Sequence, residues 1–116
     1  PSRHDRDLRM IARAQAMVRA GITTARDLGA GEWREILLRD AIARQEVLGP
    51  RLLCVGQPLT VSDGHCHFWG GVADTKSARE EVIVRQLDRE VDWIKIMATG
   101  GVFTPQVTSD LIWSPV

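Results

Sequence analysis

The stretch Val91-Asp92-Trp93-Ile94-Lys95-Ile96-Met97-Ala98-Thr99-Gly100-Gly101 decides how this chain is read. Trp93, Ile94, Ile96 and Met97 suit the crowded faces of a sheet and the glycine pair ends the run, so it reads as a strand. Alternation places Trp93, Lys95, Met97 and Thr99 on one face, with Ile94, Ile96 and Ala98 on the other. Lys95 is the member that needs a chemical explanation. Apolar neighbours on both sides would hold its ammonium in a dry place at considerable cost. Three readings stand open. The stem carries the head to water, a carboxylate such as Asp27 or Asp92 neutralises it, or the amine is functional as nucleophile, base or modified metal ligand. Its position, just before a Thr-Gly-Gly turn at the carboxyl end of a strand, is where α/β sheets place their ligands.

Upstream, the same alternation of strand and helix repeats. Leu8, Ile11, Gln15 and Val18 fall at helical spacing within residues 6–20, and Gly21 supplies a stop. Residues 22–27 read as a short strand, whose Asp27 could point a carboxylate into a site, cap the turn or pair with Arg26. Residues 32–47 return to helix, with Trp33, Ile36, Leu37 and Ala41 as the apolar stripe and Glu35, Arg39 and Arg44 toward water. Gly49-Pro50 ends it, and Leu52-Leu53-Cys54-Val55 is a continuously apolar strand of the kind covered on both faces. Ser77 and Glu80 match a capping box that opens a helix to about residue 90, with Ile83 and Leu87 inward and Glu81 four places before Arg85. The order α-β-α-β-α-β predicts parallel strands joined by crossover helices. Residues 102–116 hold no helix long enough to cover the last strand, so residues 1–116 are expected to be a section of a larger domain.

Composition narrows the partners. The chain has 116 residues, with 15 basic and 15 acidic side chains and a formal net charge of zero. No general field draws it to nucleic acid or to an anionic membrane. No run approaches transmembrane length, and the amino terminus lacks the apolar segment of a signal peptide. Cys54 and Cys66 show no CxxC spacing, so a reducing, cytoplasmic setting is the expectation.

The longest irregular stretch, residues 56–75, contains Asp63-Gly64-His65-Cys66-His67-Phe68-Trp69-Gly70-Gly71. Loops of this length in compact α/β proteins are commonly functional. Two histidines two apart share one side of an extended segment, which can begin a metal site but does not complete one. His65 is also a candidate substrate-facing donor, because Gly64 permits close backbone approach. Phe68 and Trp69 either line a pocket or pin the loop. Thr99-Gly100-Gly101 could cradle an anion with its amides, but it lacks dinucleotide and P-loop spacing.

Several of these segments resemble metal-dependent amidohydrolases, in the branch of imidazolonepropionase-like enzymes and microbial Xaa-Pro dipeptidases. They are Ala20-Gly21-Ile22-Thr23-Thr24-Ala25-Arg26-Asp27-Leu28-Gly29, Gly49-Pro50-Arg51-Leu52-Leu53, Gly64-His65 and the stretch from Asp92 to Gly101. The resemblance implies part of a (β/α)8 barrel, roughly its first helix through its fourth strand. It also implies that Lys95 is the catalytic, metal-bridging lysine, carbamylated by carbon dioxide between two divalent ions, most often zinc. Carbamylation would convert a buried cation into an anionic oxygen donor, and the metals would activate water for attack on a carbonyl. By the same resemblance His65 contacts the substrate, and Arg26 and Asp27 support the site from beneath. His65-Cys66-His67 mimics the family's HxH, but that motif belongs to the first strand, so His67 receives no role. The HxH itself, the later metal histidines and the catalytic aspartate are absent, and Val91 replaces a common glycine.

The resemblance therefore implies part of a hydrolase of amide or peptide bonds, acting on a dipeptide or other small molecule, whose other partner is the remainder of the barrel. The alternative is a catalytically inactive binding or regulatory module derived from that barrel. A Schiff-base lysine enzyme suits the strand-end lysine but leaves the His65 loop unexplained.

Overall fold

The computed structural model describes residues 2–100. Helix α1, Arg3–Arg19, opens on a true capping box in which the Ser2 hydroxyl accepts from the Asp5 N–H and the Asp5 carboxylate accepts from the Ser2 N–H. Gly21, at φ 88°, turns the chain out of it. Strand β1, Thr24–Asp27, leads into helix α2, Arg34–Ala43, and strand β2, Arg51–Cys54. The strands pair in parallel, Thr24 opposite Arg51 and Asp27 opposite Cys54, so α2 is a crossover helix. Helix α3, Lys76–Asp88, then returns the chain to the far side of β2. The result is an open, incomplete section of an α/β barrel-like arrangement, as the alternating pattern predicts.

The stretch 91–100 lies parallel to residues 54–59 but does not form a regular strand. Asp92 N–H donates to the Cys54 carbonyl at 2.8 Å, Leu59 N–H to Lys95, and Met97 N–H to Leu59, also at 2.8 Å. The rungs between are diverted. The Gly56 carbonyl accepts from Ala30 N–H, the Gln57 N–H is taken by Gln86 Oε1, and Pro58 has no N–H to give. Residues 101–116, with Gly101 of the candidate amide cradle, lie outside the described residues.

Two helices present different faces from those their apolar spacing predicts. In α2, Glu35 and Ile36 are buried and Arg39 is largely so, while Leu37 is 60% exposed. Trp33 adopts a left-handed conformation (φ 60°), so the helix begins at Arg34 and turns Glu35 toward the sheet. Trp33 instead packs near Gly56, with the Arg89 guanidinium 5.3 Å above its ring. In α3 the cap is Thr75, whose hydroxyl accepts from Ala78 N–H at 3.1 Å; Ser77 sits inside the helix. Val82 and Gln86 are its buried members, and Leu87 is exposed. Arg85 turns to the Gly70 carbonyl, and the helix's i,i+4 pair is Lys76–Glu80 at 3.9 Å. Leu59, Ala73 and Val82, with Ala78 and Ile83 against them, form the small apolar core.

Candidate functional site

The loops after β1 and β2 close on one another at the carboxyl ends of the strands. Trp69 packs against Gly29 and Gly31, and Gln57 Nε2 donates to the Gly31 carbonyl at 3.0 Å. Gln57 is itself held by Gln86, which is fully buried, accepts from its N–H and donates to its carbonyl. The loop 61–71 is gathered at its base, where Thr60 N–H donates to the Gly71 carbonyl and Ala73 N–H to Thr60. Ser62 clamps the same base through both its N–H and its hydroxyl to the Asp74 carboxylate. One aromatic therefore pins the loop. Phe68, stacked edge-on with Trp69, is 70% exposed.

Lys95 is half-buried beside a cavity of about 310 Å³ lined by Arg26, Leu28, Val55, Trp93, Ile94 and itself. Neither carboxylate considered as its neutralising partner is committed to it. Asp92 is bound to Arg39 and Cys54, while Asp27 Oδ1 accepts from Gly29 N–H at 3.0 Å, closing the turn after β1. Among the described residues no ion pair joins Arg26 to Asp27. They occupy opposite faces of β1, with Arg26 toward the cavity and Asp27 in electrostatic reach of Glu35 and Cys54.

No residue of the His65 loop lines this cavity. His65 is half-buried, and the neighbouring Cys66 lies within reach of the Lys95 charge. Burial pushes the Cys66 thiol up while Lys95 pulls it down, leaving it raised. Gly64 is required there, since a Cβ would meet the Thr60 hydroxyl and the Val61 carbonyl. His67 is engaged within the loop, its Nδ1 at 3.0 Å from the Gly64 carbonyl.

Two features escaped the sequence reading. Glu35 is 1% exposed and neither carboxylate oxygen has a hydrogen-bond partner. Burial, reinforced by Asp27, holds its carboxyl above the usual range despite its own backbone and Arg39. The second is the binding of Asp92 to Arg39 across 53 residues of chain. No periodicity announces either one.

The donor set does not fit a metal centre by itself: the described residues gather no group of three or more His, Cys, Asp or Glu side chains able to hold an ion. They also hold no helix long and apolar enough to cross a membrane.

Comparison with known proteins places the chain. The model of the amidohydrolase family matches residues 9–113. Among solved structures, a Xaa-Pro dipeptidase with methionine bound in its active site is 25% identical and superposes with a TM-score of 0.81 over 89% of this chain and 29% of that one. A second amidohydrolase is 29% identical, with a TM-score of 0.76 over 90% of this chain and 30% of its own. A Bifidobacterium longum protein assigned as a prolidase is 32% identical, with a TM-score of 0.64 over 76% of this chain and 22% of its own. The chain thus spans less than a third of each of these structures. No curated protein matches it.

Proposed function

This chain belongs to the amidohydrolase family, and from that premise we propose that these 116 residues form a non-catalytic, ligand-binding module of the barrel, with Lys95 as the amine that meets the ligand. The observation that carries this reading is the placement of Lys95. Its side chain lines the cavity together with Arg26 on the apolar floor of Leu28, Val55 and Trp93, and Cys66 beside His65 lies within reach of its charge. Two cations over an apolar floor suit a small ligand with a carboxylate or polarised carbonyl. A dipeptide has both groups. His65 is assigned to the ligand's carbonyl, and Arg26 and Asp27 to support of the strand end.

The second reading is favoured by the dipeptidase and prolidase likenesses. In a longer chain the same residues would form one side of a site that hydrolyses C–N bonds, the remaining barrel supplying the rest. Lys95 as a carbamylated bridge between two zinc ions belongs to that reading, since the described residues do not assemble such a centre.

The test is to incubate the purified chain with an Xaa-Pro dipeptide, with and without zinc and bicarbonate, and to follow both binding and free proline. The module reading expects binding that is weakened in Lys95→Ala, with no proline released. Release of proline above the rate of the Lys95→Ala variant would overturn it in favour of hydrolysis by this chain alone.

A further inference from the structure

We infer that Asp92 and Arg39 are a positioning pair that sets the place of Lys95 in the cavity, an inference that rests on the reading of Lys95 as the ligand-facing amine. Asp92 grips both backbone groups of Cys54. Its N–H donates to the Cys54 carbonyl at 2.8 Å, and its Oδ2 accepts from the Cys54 N–H at 2.8 Å. In a continuous parallel ladder a main-chain carbonyl would take that second bond. Here a carboxylate replaces it, and the charge is met by Arg39 of α2, whose Nη1 lies 2.9 Å from the same Oδ2 and 2.7 Å from the Glu90 carbonyl.

Position explains why a side chain is needed. Beyond Asp92 the rungs are lost at Gly56, Gln57 and Pro58, and pairing resumes only where Leu59 N–H reaches the Lys95 carbonyl. Asp92 and Cys54 stand 38 positions apart, the same separation as Met97 and its acceptor Leu59. The register is therefore carried unchanged across a gap that no backbone bond spans. Two fastenings hold it, one on each side of Trp93 and Ile94. Asp92 is the lower fastening: loss of its carboxylate reduces it to the single N–H bond to the Cys54 carbonyl, and loss of Arg39 leaves the carboxylate without its counter-charge. Slippage there moves the Lys95 amine relative to Arg26, Val55 and Cys66.

The chain has only two lysines, Lys76 and Lys95, and Lys76 stands on the surface of α3 with its side chain 81% exposed. Competitive labelling of the two amines with trace acetic anhydride, read by peptide mass spectrometry, therefore carries its own internal reference. We compare the full 116-residue chain with Asp92→Asn, Arg39→Met and Arg39→Lys. Arg34→Ala, which breaks the Asp7 pair between α1 and α2, serves as a control for general loosening. The expected result is a change of roughly threefold or more in Lys95 labelling relative to Lys76 in Asp92→Asn and Arg39→Met, because a displaced or loosened amine meets the reagent differently. Arg39→Lys restores part of it, and Arg34→Ala leaves the ratio unchanged. A folded Asp92→Asn or Arg39→Met variant, by far-ultraviolet circular dichroism, with the wild-type ratio would overturn the inference. So would an equal change in Arg34→Ala. If Asp92→Asn does not fold, the two Arg39 variants decide. The readout is the amine and not ligand binding or hydrolysis, so a Lys95 that proves irrelevant to ligand would refute the functional reading and leave this result standing.

Discussion

The backbone carbonyl of Glu35 accepts from the Cys54 thiol at 3.6 Å, while the carboxyl of the same residue lies buried without a hydrogen-bond partner. One residue thus satisfies β2 with its main chain and leaves its own side chain unsatisfied against the sheet. That is a destabilising arrangement for an ionised group, and it makes stability depend on pH.

The sign follows from the two carboxyls on this side of the sheet. Burial raises Glu35 above its ordinary 4.5, so its folded form prefers the proton. Its contribution is most favourable below that value and is lost as pH climbs through the raised one. For Asp92, burial pulls upward but the Cys54 N–H and Arg39 outweigh it, so its contribution is present above the usual range and lost in acid. Glu35→Met should raise stability at neutral pH by about 1–3 kcal/mol, the cost of an unsatisfied buried polar group, and less at pH 4. Urea unfolding at the two pH values measures it. An unchanged difference between them would count against a buried, proton-holding Glu35.

The two thiols should separate cleanly. Burial and the nearby Asp27 and Glu35 push Cys54 up to about 12, and it is fully buried. Cys66 is half-buried, with Lys95 favouring its thiolate. Iodoacetamide should alkylate Cys66 in the native chain at least about tenfold faster than Cys54, and Cys54 should react only on unfolding. Equal native rates would place Cys54 nearer solvent than described.

Gly71 carries the base of the His65 loop. A Cβ there would collide with the Pro58 carbonyl, a backbone atom that cannot swing aside. Gly71→Ala should lose about 2–4 kcal/mol, whereas Gly21→Ala, in open space but at φ 88°, should lose about 1 kcal/mol. Thermal melts of the two variants rank them, and the reverse order would deny the close crossing at Pro58.

Helix capping supplies a fourth check. Thr75→Ala should cost about 1 kcal/mol by losing the bond to Ala78 N–H. Ser77→Ala should stay within about 0.5 kcal/mol of the wild type, as for a surface change with no special contact. Equal losses would return the helix start to Ser77.

These contrasts show what the sequence carries. The parallel β-α-β order was legible because Thr24–Asp27 and Arg51–Cys54 are short runs set between periodic helices, and hydrophobic spacing reports elements well. Lys95 was legible as an ionisable residue in an apolar run. The buried face of α2 was not, because its orientation depends on the left-handed Trp33, a backbone choice that side-chain spacing does not encode. Gln57 with Gln86 was equally hidden, since a polar pair 29 positions apart leaves no local signature. Pro58 was the one missed clue. A proline beside a strand announces a lost rung, and here it breaks the ladder that would have made residues 91–100 a regular strand.

The most direct test of the account is to titrate the chain, its two lysines carrying ¹³C-methyl groups, with an Xaa-Pro dipeptide while observing both lysine signals and the dipeptide itself. The Lys95 signal should move, the Lys76 signal should stay, and the dipeptide should remain intact. A Lys95 signal that does not move with saturating dipeptide would contradict the assignment of this amine to the ligand, and cleavage of the dipeptide would contradict the non-catalytic role.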